Sequence, residues 1–113
     1  MHEMALAESV IQIVEETARK SAAAAVRAVW LEIGRLSHVE PEALRFAFDV
    51  VKRNGPAHGA RLEIVATEGA AWCMKCSRTV TLARLGDACP HCGSYQLQVT
   101  AGDEMRVKEI EVD

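Results

Sequence analysis

Four cysteines fall in two pairs, Cys73-Met74-Lys75-Cys76 and Cys89-Pro90-His91-Cys92, with twelve residues between the pairs. Two C-x-x-C pairs at this separation suit one tetrahedral Zn²⁺. The spacing lets both sulfurs of a pair reach one ion while the intervening backbone N–H groups point at them. Pro90 and Gly93 favour the tight turn that such a knuckle needs. Four thiolates fill the coordination of the ion and leave no position for a substrate, so the expected role is structural. In so small a segment, metal binding is part of the folding free energy. Four free thiols or two disulfides fit the spacing less well, and a redox C-x-x-C is disfavoured because neither pair opens a helix after a strand. His91, inside the second knuckle, reads as a solvated turn residue, with a spare-ligand role as the alternative.

A second chemical feature is the opening Met1-His2-Glu3. The α-amine of Met1, the backbone nitrogen of His2 and the His2 Nδ1 can close a five- and a six-membered chelate ring around one metal. Losing the amide proton requires a metal with a strong preference for square-planar nitrogen, which selects Ni²⁺ or Cu²⁺ over Zn²⁺. Glu3 can add its carboxylate or its own backbone nitrogen. The His2 nitrogen has only two neighbouring corners in a square, so the α-amine, Nδ1 and the Glu3 nitrogen cannot all lie beside it in one plane. One is axial or is replaced, by His38, His58, His91 or a partner's histidine. Such an exchangeable corner suits handing a metal on. The bulky His2 favours retention of Met1, without which the chelate is lost. On its own, a histidine at position two is a weak signal.

These groups need a scaffold. EMALAESVIQIVEETARK has helical spacing, with Leu6, Val10, Ile13 and Val14 as its apolar stripe. The acid-first, base-last order suits the helix dipole. VRAVWLEIGRL is a strand with apolar residues on both faces, hence central, and Gly34 to Ser37 turns the chain. VEPEALRFAFDVVKRNGP is a second helix, with Pro41 in its first turn, Leu44, Ala47, Phe48 and Val51 as its stripe, and Asn54-Gly55-Pro56 as its stop. ARLEIVA is a second strand. EMRVKEIEVD is a third, in which the apolar phase slips between Val107 and Ile110 and suggests a bulge near Lys108. The expected fold is α+β: two helices on a three-stranded sheet, with an inserted four-cysteine zinc-ribbon subdomain. Residues 1–69 with 102–113 are assigned to the α/β domain that carries the N-terminal metal site, and 70–101 to the zinc-binding subdomain.

Half of the 113 residues are hydrophobic, but only two Trp, two Phe and one Tyr are aromatic, so the core is aliphatic. The net charge of −3 opposes general nucleic-acid binding. No apolar run is long enough to span a membrane, and no signal-peptide pattern opens the chain. A cytoplasmic location is therefore expected, where cysteines stay reduced. No nucleophile–base pair has credible spacing, so no enzymatic activity is expected.

Taken together, MHEM, VWLEIGRLSHVEPEALRFAFDVV, GARLEI, CMKC, CPHCGS and MRVKEIEVD resemble the hydrogenase nickel-incorporation proteins of the HypA/HybF family, over essentially the whole length. The resemblance implies a metallochaperone that delivers Ni²⁺ during maturation of [NiFe]-hydrogenase, in some members also of urease, together with a HypB-type GTPase. The hydrogenase large-subunit precursor is the implied recipient, and a homodimer is left open. The family's nickel site falls on His2, with Met1 and Glu3 contributing. Its structural Zn²⁺ site falls on Cys73, Cys76, Cys89 and Cys92. Glu40 lies in the matching acidic position and is read either as an acceptor steadying the His2 ring or as a helix-start carboxylate. The competing reading is a zinc-ribbon nucleic-acid or protein-binding module. His38 and His58 are read as solvated loop histidines, and Trp72 as a hydrophobic lid on the first knuckle.

Overall fold

The computed structural model describes residues 3–113. Helix α1 is Glu3–Lys20 and α2 is Pro41–Val51, extended by a 3₁₀ turn at Lys52–Asn54. The strands are β1 (Val26–Gly34), β2 (Arg61–Thr67), β3 (Gly69–Cys73), β4 (Arg78–Leu82), β5 (Leu97–Ala101) and β6 (Met105–Val112). They form two three-stranded sheets, ordered β2-β1-β6 and β4-β3-β5. The fold is α+β with a four-cysteine ribbon, as expected, but the ribbon carries a sheet of its own that the sequence reading did not anticipate. The chain divides into two compact units. One comprises the chain up to Leu31, Val39–Val65 and Arg106–Asp113; the other comprises Glu32–His38 and Ala66–Met105.

In the first unit α1 packs on α2. The buried face of α1 is Ala7, Val10, Ile11, Val14 and Ala18, whereas Ile13 is 50% exposed. This corrects the expected stripe by a rotation about the helix axis. An aliphatic-rich helix offers apolar residues on several faces. The face carrying Ala7 and Ala18 lets a neighbouring backbone come close, which a row of larger side chains would prevent. On α2, Leu44, Ala47 and Phe48 are buried as expected, with Val51 half-buried. Pro41 occupies the first turn, where its missing N–H leaves no intrahelical bond unmade. Val26, Ala28, Val29 and Leu31 of β1 are all buried, as befits the central strand. Trp30 is half-buried, with the Arg61 guanidinium 5.4 Å from its ring centre.

The alanine run does not extend α1. Ala22 takes a left-handed conformation with φ +54°. Its N–H donates to Arg19 O at 3.1 Å, and Ala23 N–H donates to Ala18 O at 2.9 Å. This paired closure is a Schellman cap, a position that favours glycine because a Cβ is strained there. Ala22→Gly is therefore expected to stabilise the protein by about 1 kcal/mol in chemical denaturation, slightly offset by the greater freedom of the unfolded chain.

In the second unit β3 is central and antiparallel to both neighbours, with Trp72 opposite Thr79 on β4 and Gln98 on β5. A register shift interrupts the β3–β5 ladder between Ala70 and Ala71. Leu36, Ala71, Cys73, Val80, Leu82 and Cys89 form the core, with Cys76, Leu97 and Val99 packed against it. Leu36 sits where the segment read as a strand runs into its turn, and it is 1% exposed. Trp72 alternates out of phase with buried Ala71 and Cys73 and is 40% exposed. It faces away from the knuckle core, because successive strand residues point to opposite faces; the expected lid role does not hold.

Candidate metal centres

Both knuckles are built the same way. Cys73 ends β3, and Ser77 N–H donates to Cys73 O at 2.8 Å while Ser77 adopts φ +55°. In the second knuckle Gly93 N–H donates to Cys89 O at 2.9 Å, with Gly93 at φ +75°. Each pair of cysteines is thus followed by a left-handed residue that folds the turn. Sequence reading anticipated this at Gly93 and missed it at Ser77, where a β-carbon gives no hint of it.

The turns bring the sulfurs together. Cys73 Sγ lies 3.6 Å from Cys92 Sγ, and Cys76 Sγ lies 3.8 Å from Cys89 Sγ. All four are within 4.8 Å of one another. A Zn–S bond of ~2.3 Å places tetrahedral sulfurs about 3.8 Å apart, whereas a disulfide requires ~2.05 Å. The arrangement is that of four ligands around one ion. Cys73 and Cys89 are buried and Cys92 is the most exposed. Backbone donors point at the sulfurs, from Cys76 N–H to Cys73 Sγ at 3.3 Å and from His91 N–H to Cys89 Sγ at 3.4 Å.

Crowding divides the thiols. The hydrogen bond with Cys92, followed by burial and the Cys73 and Cys89 side chains, pushes the Cys76 thiol up to about 12. Burial also pushes Cys89 upward, but the backbone donors of Cys92 and His91, together with the Cys92 and Cys73 side chains, outweigh it and bring this thiol down to about 6. Cys89 ionises readily, whereas Cys76 gives up its proton only to a cation at the centre of the cluster.

The other candidate site is divided by the limits of the structure: Met1 and His2 lie outside the described residues. Glu3 opens α1, and its Oε2 accepts a hydrogen bond from Glu40 N–H at 3.2 Å. Glu40 is the N-cap of α2, with Oε1 reached by Glu42 N–H at a long 3.5 Å. Two acidic residues from distant parts of the chain therefore meet at the start of α1. His38, His58 and His91 are exposed, as expected for solvated loop residues. Among the described residues, no helix is long and apolar enough to cross a membrane.

A two-helix α+β body together with a four-cysteine ribbon defines a small metal-binding protein. Comparison with known proteins narrows the class. The family model described as "Hydrogenase/urease nickel incorporation, metallochaperone, hypA" matches residues 1–112. A hydrogenase maturation factor HypA from Rhodopseudomonas palustris (strain BisB5) is 66% identical over 113 residues and 100% of both chains. The factor of the same name from Bradyrhizobium sp. (strain ORS 278) is 59% identical over the same full span. The solution structure of the Ni metallochaperone HypA from Helicobacter pylori superposes with a TM-score of 0.72 at 29% identity, covering 99% of this chain and 97% of that one. The chain belongs to the HypA family of nickel-incorporation metallochaperones.

Proposed function

We propose that this chain binds Ni²⁺ through Met1, His2 and Glu3 and delivers it during maturation of [NiFe]-hydrogenase, with urease as a second recipient. The observation that carries the reading is the family match across residues 1–112, which includes the opening Met-His-Glu. The ligand chemistry agrees with it: amine, amide and imidazole nitrogens favour a square-planar metal. Nickel is the cargo, and the protein performs no turnover on it. The four-cysteine centre holds Zn²⁺ as a structural ion, for which a full set of four thiolates is suited. A HypB-type GTPase and the hydrogenase large-subunit precursor are the partners in this reading, and the cytoplasm is its location. Nucleic acid is not a partner, in keeping with a net charge of −3.

Glu40 steadies the nickel site from behind. Its N–H holds Glu3, and among the described residues its carboxylate has only the long contact from Glu42, which leaves acceptor capacity for an imidazole N–H. Deeper burial or a shorter cap bond would have favoured a purely helix-capping role.

The test is a Ni²⁺ titration of zinc-loaded, untagged protein, beside the same protein with one glycine placed before Met1. The extension moves the α-amine out of the chelate and leaves every side chain in place. At least a tenfold loss of nickel affinity is expected, together with loss of the square-planar absorption band, and zinc content should be unchanged. Equal affinity in both forms would overturn the N-terminal site.

A further inference from the structure

An open cavity of about 440 Å³ lies where β1 and β2 begin and β6 ends. Three nitrogen-bearing side chains line it: Arg27 from β1, Arg61 from β2 and His58 from the turn before β2, along with Pro56, Gly59 and Asp113. All of them belong to the first unit. Backbone bonds fix the frame. Val26 N–H donates to Pro56 O at 3.0 Å, Ala60 N–H to Ala57 O at 2.9 Å, and Asp113 N–H to Ala25 O at 3.1 Å. A Cβ on Gly59 would meet nothing within 4 Å, so the space beside it is free.

The donors of this cavity are underused. A guanidinium offers five N–H donors in a planar fork. Among the described residues, Arg61 commits only its Nε, to Glu63 Oε2 at 3.0 Å, and it rests over the Trp30 ring. Held from two sides, it loses little further freedom on meeting a ligand. Glu111 and Asp113 lie 3.8 and 3.7 Å from Arg27 Nε, too far for a hydrogen bond. The terminal nitrogens of both arginines are therefore available. His58 Nδ1 lies 3.3 Å from Gly55 O. A carbonyl only accepts, so this nitrogen carries the hydrogen, and the neutral ring keeps Nε2 as an acceptor. We infer that the cavity binds inorganic phosphate as hydrogen phosphate. The two arginine forks hold its charged oxygens, and His58 Nε2 accepts from its P–OH.

The carboxylates nearby weaken the site without filling it. Glu63 takes the Nε edge of Arg61 and leaves the terminal fork open. The Glu111 and Asp113 pairs with Arg27 are solvent-exposed, and such pairs contribute little. Of the acids around Arg27, Asp113 lines the cavity itself, so its charge opposes the anion. Affinity is therefore expected to be modest, with a dissociation constant of about 1 mM, and loss of the Asp113 charge should strengthen it. The acceptor on His58 gives selectivity. Sulfate and the dianion of a phosphate monoester carry no acidic O–H, so neither can donate to Nε2. The inference is independent of the nickel reading.

The test is an NMR titration of zinc-loaded full-length protein with sodium phosphate, against sodium chloride of equal ionic strength. It is run at mildly alkaline pH, where hydrogen phosphate prevails and imidazole is neutral. The Trp30 indole and His58 ring signals report. Phosphate should shift both saturably, and chloride should not. Sodium sulfate and a nucleoside monophosphate should each bind about threefold or more weakly, for want of the donated O–H. Arg27→Gln and Arg61→Gln should each weaken phosphate binding about tenfold. Asp113→Asn should tighten it about threefold, a gain that a misfolded variant cannot show. Shifts that chloride reproduces, sulfate or the nucleoside monophosphate binding as tightly as phosphate, undiminished binding by either arginine variant, or no gain in Asp113→Asn would each overturn the proposal.

Discussion

Chelation of the four-cysteine metal is expected to unfold the Ala66–Met105 segment while α1 and α2 persist. The second unit has few means of holding itself together. Ile33, Leu36, Val80 and Leu82 are its only large aliphatic residues at 4% exposure or less among those described, and two other members of its core, Cys73 and Cys89, belong to the four-cysteine cluster itself. A structural zinc in a small module contributes about 10–16 kcal/mol at neutral pH, so its removal outweighs the remaining burial. Both helices lie in the other unit, whose core is built from Val10, Val14, Leu31, Leu44 and Phe48. The measurement is amide NMR with circular dichroism at 222 nm after chelation under reducing conditions. Amides of β3, β4 and β5 should collapse toward random-coil positions, while most of the helical signal remains. Cys73→Ala should behave as the chelated protein does, since it removes a fully buried ligand. Dispersed β3–β5 amides without metal would show that burial alone suffices.

Protons sharpen this expectation. In the folded cluster the Cys89 thiol is lowered to about 6 and the Cys76 thiol is raised to about 12. The depressed Cys89 value contributes stability that is present above pH 9.0 and is lost as pH falls through about 6. The raised Cys76 value acts in the opposite sense, with its contribution present below pH 9.0 and lost as pH rises toward about 12. Metal binding must expel at least the Cys76 proton. Affinity should therefore fall about tenfold or more per unit as pH drops below neutrality, and the metal-bound ribbon should melt on mild acidification.

The chemistry was more legible in the sequence than the packing. C-x-x-C spacing is a local property, and a knuckle is a local structure, so the metal centre could be placed before any fold was known. Pro41 and the periodicity of Leu44, Ala47 and Phe48 marked α2 for the same reason. What stayed hidden depends on partners far along the chain. Leu36 carries a turn's neighbours, Gly34 and Ser37, and becomes a core residue only because the distant ribbon closes over it. The choice between Ile13 and Ile11 on α1 depends on which face α2 meets. The left-handed conformations of Ala22 and Ser77 sit on residues that signal nothing of the kind. The strands β3 to β5 are only five residues each, too short for alternation to stand out beside the cysteines.

Gly102→Ala is expected to be far more damaging than the same change at Gly86, and the reason lies in the close approach of Gly34, Gly69 and Gly102. A Cβ on Gly102 would lie 2.4 Å from Glu68 O and 2.5 Å from Gly69 Cα, and one on Gly34 would lie 2.0 Å from Gly102 O. Three strands separated in sequence thus cross backbone to backbone. The crossing is tied by Gly34 N–H to Glu104 O and Leu36 N–H to Gly102 O, both at 2.8 Å, and Arg35 N–H to Thr67 O at 2.9 Å. These bonds also hold Leu36 in the ribbon core. Gly102 has φ +87°, so alanine there adds backbone strain to the overlap. Gly86 separates the two effects: its φ is +91°, and a Cβ there meets nothing within 4 Å. Gly86→Ala should cost about 1–2 kcal/mol from strain alone, whereas Gly102→Ala should cost a further ~1–3 kcal/mol from overpacking against atoms that cannot move aside. Denaturant titration of the zinc-loaded protein, followed through β3–β5 amides, measures both. Equal losses would mean that the crossing yields to a methyl group and that the three glycines are there for their turns alone; a larger loss at Gly102 means that close backbone contact selects them.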